Sequence, residues 1–184
     1  MVGNSKRFKD FSMAPITRLS ALGLSVLLAA CASAPPTPTP GASFVIVRHA
    51  EKANDDPRDP SLSEAGRARA QRLAAALKNQ PMRAVYATAY RRTQQTGEPT
   101  AQSHRLQVVT YDAKQPATDF AATLRREHAA GTVLVVAHSN TAPDIAAALC
   151  QCTVAPMTET EFDRRMRIDF DRDGHPSYSQ SRDQ

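Results

Sequence analysis

The chain has 184 residues, 41% of them apolar and 22% charged, with a formal net charge of +5. Much of the excess base lies at the amino terminus. Without residues 1–30, the remaining 154 carry 19 bases against 17 acids. That length supports one domain with a real core. So balanced a charge, with no basic run interleaved with aromatics, excludes a nucleic-acid footprint.

In chain order, Lys6, Arg7, Lys9 and Arg18 form a positive leader, and an apolar stretch runs from Leu19 to Ala30. That stretch is too short to span a bilayer as a stable helix and reads as part of a secretory signal over residues 1–30. It ends in Leu28-Ala29-Ala30-Cys31, which resembles a bacterial lipobox. An ordinary secretory signal with a coincidental cysteine is the alternative. Acylation of Cys31 with several chains would anchor the protein stably, since one chain binds only marginally. Ala32 in place of aspartate resembles the sorting pattern of outer-membrane lipoproteins. Residues 31–42, rich in proline and threonine, are expected to form a semi-extended tether. Residues 43–184 are expected to form the folded domain.

Phe44-Val45-Ile46-Val47 predicts a buried strand over about 43–48. A helix is expected from Ser63 to Asn79, stopped by Pro81, with Ala68, Leu73, Ala76 and Leu77 on its apolar face. Ser61 and Glu64 have capping-box spacing, and Ser63 is the alternative cap. There follow a strand over Arg83–Ala87, a helix over Ala89–Ser103 and a strand over Leu106–Tyr111. A helix over Ala117–Ala130, closed by Gly131, precedes an apolar strand over Thr132–Ala137. Pro143 suits the first turn of a helix reaching Leu149, and Met166–Phe170 reads as a last strand. The tail from Asp171 to Gln184 is polar and expected to be loosely held. Strands alternating with helices imply an α/β fold with a mostly parallel sheet covered on both faces. Cys150 and Cys152 read as a structural pair, bonded or not, because no matching Cys/His pair stands near them for a metal or redox site.

Arg48-His49-Ala50-Glu51 directly follows the first strand, at the end where open α/β sheets bind ligands. A planar guanidinium beside a neutral imidazole suits a phosphate, as donor fork and nucleophile. Further on stand Leu62-Ser63-Glu64-Ala65-Gly66, then Tyr86-Ala87-Thr88-Ala89-Tyr90-Arg91-Arg92-Thr93-Gln94-Gln95-Thr96, then Val135-Val136-Ala137-His138-Ser139-Asn140. This ordered set resembles the histidine phosphatase superfamily, in its phosphoglycerate-mutase-like branch, over about residues 43–170. The resemblance implies a three-layer αβα arrangement. It implies His49 as a nucleophile forming a phosphohistidine that water hydrolyses, Arg48 and Arg92 as phosphate clamps, and His138 as an electrostatic partner. Arg91 lies about 100° around a helix from Arg92 and is expected to be a surface charge. Ser139 and Asn140, leading into a helix N-terminus, are expected to bind substrate. Many relatives carry a glutamate proton donor after the second motif, but Gln102–Thr123 contains only Asp112 and Asp119 as acids. Asp112 is taken as the donor, with Glu51 and Asp144 as rivals; a good leaving group would need none. Ala50 stands where many relatives have glycine.

The expectation is a metal-independent phosphomonoester hydrolase with no cofactor, tethered in the cell envelope as an outer-membrane lipoprotein facing the periplasm. Its substrate would be a phosphorylated small molecule or envelope component. Only 33 residues separate His104 from His138, which leaves no room for a large lid. Hydrolysis is therefore favoured over mutase-type phosphoryl transfer, which needs its phosphoenzyme shielded from water. A non-catalytic phosphate-binding lipoprotein is the alternative, although binding alone does not need a nucleophile.

Overall fold

The computed structural model describes residues 41–183. The signal segment, Cys31 and residues 32–40 of the expected tether lie outside them. The described residues form a six-stranded sheet and four helices. In chain order these are β1 (Ala42–Arg48), α1 (Glu64–Leu77), β2 (Met82–Thr88), α2 (Arg91–Ser103) and β3 (Val108–Tyr111). They continue with α3 (Ala117–Glu127), β4 (Gly131–Ala137), α4 (Ala142–Cys150), β5 (Arg164–Phe170) and β6 (Pro176–Arg182).

The strand order is β3-β2-β4-β1-β5-β6. The first four run parallel, β5 is antiparallel to β1, and β6 is antiparallel to β5. The sheet is thus mostly parallel, with an antiparallel extension at one edge. Its two central strands are buried on both faces, which is why each reads as an unbroken apolar run. Period-two alternation divides them. Phe44, Ile46, Val133 and Val135 pack with Phe120 and Leu124 of α3 and Ile145 and Leu149 of α4. Val45, Val47, Leu134 and Val136 pack on the other side with Leu73 and Leu77 of α1 and Ala101 of α2. This is the expected three-layer α/β fold.

Several elements differ from the sequence reading. The tail is not loose: residues 176–182 form β6, whose Tyr178 packs against the core formed with α3 and α4. The strand's polar alternation, with one side facing water, hid it. Ser63, not Ser61, caps α1, its Oγ accepting from Gly66 N at 3.1 Å. Ser61 instead donates to Asp55 at 2.7 Å. The third helix ends at Glu127, and Gly131 opens β4 at φ +85° instead of closing the helix. Ala42, assigned to the tether, already belongs to β1. Cys150, the last residue of α4, is disulfide-bonded to Cys152, with Gln151 between them in a left-handed conformation.

Antiparallel β5 has a consequence at the other end of the sheet. Val47, next to last in β1, pairs with Arg165 near the start of β5. The segment preceding β5, residues 158–163, is thereby delivered to the carboxyl ends of the parallel strands.

Candidate active site

Strands β1 and β4 are in register up to Arg48 opposite Ala137. The next residue of each is a histidine. The register therefore sets His49 beside His138, with ring centroids 5.5 Å apart. Both line a cleft of about 360 Å³ at the carboxyl end of the sheet. Arg48, Arg92, Ser139 and Asn140 line it too, so of the residues expected to act on substrate all except Asp112 meet there.

His49 is 4% exposed, and its backbone N–H donates to Ala137 O at 2.9 Å. Its Nδ1 lies 2.8 Å from Ala50 O, and a carbonyl only accepts, so Nδ1 carries the proton. Nε2 is left with its lone pair. Burial first, and the neighbouring guanidinium groups of Arg48 and Arg92 after it, hold the His49 pKa down to about 3. His138 is held down to about 4 by burial, then by Arg92 and Arg48. Both rings are neutral near pH 7. The tautomer of His138 follows from a chain of hydroxyls. Thr93 Oγ1 lies 2.7 Å from Tyr90 O and 3.0 Å from Thr88 O, so it must donate to a carbonyl. Thr88 then donates to Thr93 (2.7 Å), and His138 Nε2–H donates to Thr88 (3.0 Å).

Arg48 is 3% exposed. Its Nη1 donates to the carbonyls of Thr158, Glu159 and Glu161 at 2.8–3.1 Å, and its guanidinium stacks 4.1 Å from the Phe162 ring. Nη2 donates to Glu159 Oε2 at 3.0 Å. Arg92 lies over the Tyr90 ring at 4.3 Å, with Asp59 at 3.7 Å. The Nε–H groups of both arginines are buried and have no partner among the described residues. Lys52 and Lys114 also line the cleft, against a single carboxylate, Glu159. Such a balance suits an anion.

The polar run that opens α2 holds the site's backbone together. Gln94 donates to Thr88 O (2.8 Å), Leu62 N donates to Gln95 (2.8 Å), and Ala50 N donates to Thr96 (3.0 Å). Arg91, as expected, points away, with its side chain 48% exposed near Asp55 and Asp59. Asp112 requires a correction. It does not line the cleft; its carboxylate accepts from Lys114 N at 2.9 Å and closes the turn after β3. Short aspartate side chains bond their own backbone in this way, and the turn claimed this one. Glu51 is held bidentately by Arg69 at 2.7–3.1 Å, and Asp144 is exposed on α4 outside the cleft. Among the described residues, the acidic and histidine side chains close enough to share an ion are Asp171, Asp173 and His175, at the turn after β5. Antiparallel pairing puts that turn at the opposite end of the sheet.

Sequence reasoning missed Thr88, Thr93, Tyr90, Phe162, Lys52, Lys114 and Glu159. Thr88, Tyr90 and Thr93 lie inside a recognised motif and were within reach. Glu159 and Phe162 sit in a polar segment without a pattern of its own, brought to the site by the direction of β5.

A doubly covered α/β sheet with two histidines and two arginines at its carboxyl ends is an arrangement suited to binding an oxyanion. Residues 44–114 match the family model of the histidine phosphatase superfamily, branch 1. None of the curated protein sequences matches this chain. Among solved structures it is similar to a protein histidine phosphatase, SixA, complexed with tungstate. The two share 21% identity over 76% of this chain and 96% of that one, with a TM-score of 0.61. It is also similar to YhfR of Bacillus stearothermophilus (16% identity, 75% and 95% covered, TM-score 0.61). A third is a mycobacterial glucosyl-3-phosphoglycerate phosphatase (16% identity, 77% and 98% covered, TM-score 0.60). At these identities the likeness is one of fold.

Proposed function

We propose that the protein is a metal-independent phosphomonoester hydrolase that works through a phosphohistidine on His49 and is anchored in the cell envelope through Cys31. One observation carries the catalytic reading. A desolvated neutral imidazole, fixed with its proton on Nδ1, shares a cleft with two guanidinium groups whose Nε–H donors are unpaired. A phosphate ester in the cleft would lie against those guanidinium groups and present its phosphorus to Nε2. Attack from Nε2 places positive charge on the ring, and the Nδ1–H bond to Ala50 O stabilises it. Phosphoryl transfer keeps its charge on the equatorial oxygens, so Arg48 and Arg92 act by position and charge. His138 keeps a lone pair on Nδ1; beside a phosphate dianion it takes up a proton there and becomes a further donor. Ser139 and Asn140 add polar contacts at the cleft wall.

The match of residues 44–114 to the superfamily model and the phosphatases of the same fold support hydrolysis. So does a cleft bounded by short connections among the described residues, since a mutase must hide its phosphoenzyme from water. The leader and the Leu28-Ala29-Ala30-Cys31 sequence support the envelope location.

The test is turnover of an aryl phosphate by the full chain in detergent with EDTA present, run beside His49→Ala, with rapid-quench detection of an acid-labile phosphoenzyme. Turnover and the intermediate are expected in wild type and in neither assay for the variant. Phosphate binding by folded wild type without turnover or intermediate would instead favour a binding lipoprotein.

A further inference from the structure

Glu159 has no role in the reading above, yet it is the only carboxylate among the described residues lining the cleft. Its Oε2 accepts from Arg48 Nη2 at 3.0 Å and its Oε1 from Ser139 Oγ at 2.6 Å. Two bonds fix the group although its side chain is 79% exposed. His49, at 4%, lies on the floor of the same cleft, so the carboxylate stands on the open side. Displacement at phosphorus is in line, with incoming and departing atoms on opposite sides. Water attacking a phosphoryl group on His49 therefore arrives from the open side. Arg48, which lines the cleft, holds Glu159 through Nη2, while its buried Nε–H has no partner among the described residues. The hydrogen bond from Ser139 and the charge of Arg48 hold the Glu159 carboxyl below its usual range, so it is in its accepting form near pH 7.

Building on the phosphohistidine reading, we propose that Glu159 is the general base of the second half-reaction, accepting a proton from the water that hydrolyses the intermediate. The O–P bond forms as the P–Nε2 bond breaks. The electron pair of that bond returns to Nε2, leaving His49 neutral with its proton on Nδ1. The proton from water passes to Glu159 and then to the released phosphate or to solvent. The first half-reaction, with a good leaving group, does not use it.

Glu159→Gln in the full chain, assayed with p-nitrophenyl phosphate by rapid quench and in steady state, tests this. Phosphoenzyme should form at the wild-type rate and then persist, giving a burst of nitrophenol. Removal of a general base costs roughly 10²–10⁴-fold, so kcat should fall by that factor. KM should fall with it, leaving kcat/KM within about threefold, because that ratio reports only steps through phosphorylation. Glu159→Asp should restore part of kcat. Unchanged kcat would overturn the proposal. Equal losses in burst rate and kcat would reduce Glu159 to a prop for Arg48. A rise in kcat/KM would make it a competitor for the phosphate subsite. Wild type that turns over with a phosphoenzyme keeps the hydrolase reading intact in all three cases; wild type with neither removes that reading and this one together.

Discussion

Burial sets the protonation of His49 and His138, and the consequence is open to measurement. The acid limb of kcat/KM reports the essential base of the free enzyme. With His49 held to about pH 3, that limb, corrected for the substrate's own ionisation, should lie between pH 3 and 4 instead of near 6.5. A limb near 6.5 would mean that His49 is hydrated or is not the base. The adjacent arginines give a second comparison. Arg92 lines the cleft with an unpaired Nε–H, whereas Arg91 faces two surface aspartates. Arg92→Ala should lower kcat/KM by roughly 10²–10³-fold, the scale for removing one donor to transition-state charge. Arg91→Ala should change it less than about threefold, as surface charges do. Equal losses would contradict the placement of the two side chains. Arg92 was legible from its place in the motif, and Asp112 was misread because no sequence pattern separates a turn-closing aspartate from a catalytic one.

At the scale of elements, α1 and α2 act as braces for the loop that carries His49. A Cβ on Gly66 would come within 2.3 Å of Glu51 O, two residues beyond His49. Gly66→Ala should therefore cost about 1–3 kcal/mol by overpacking, read by urea unfolding, and lower activity by shifting that loop. Wild-type stability with wild-type activity would show that the helix has slack there. From α2, Thr96 accepts from Ala50 N and is 2% exposed. Thr96→Val keeps the shape, leaves that buried N–H unpaired, and should cost about 1–3 kcal/mol. Elements with full apolar periodicity, β1 and β4 above all, were legible because burial on both faces demands unbroken Val, Ile and Leu. Strand β6 was not, because an edge strand with one wet face carries too weak a signal.

For the whole molecule, the two imidazoles tie stability to pH. An unfolded histidine titrates near 6.5, whereas His49 and His138 titrate near 3 and 4 in the folded chain. Between those values the unfolded chain binds more protons. Their contribution is therefore complete above pH 6.5 and is lost as pH falls toward 4 and then 3. The slope approaches about 1.4 kcal/mol per pH unit for each ring. Urea unfolding between pH 7 and 4.5 should show this decline, and saturating phosphate should reduce it by supporting the charged rings. Replacing His138 with Asn should flatten the slope; an unchanged slope would assign the decline to other groups.

The sequence by itself determined the fold class, the parallel core and the chain positions of His49, Arg48, Arg92 and His138, because strand burial and local motif order are properties of contiguous residues. Tertiary structure alone decided which residues complete the cleft. The register of β1 on β4 set the histidines side by side, and the reversed direction of β5 carried Glu159 and Phe162 more than a hundred positions along the chain to Arg48. Such encounters depend on how strands pair, and pairing is settled by the packing of the whole sheet and not by any segment's own pattern.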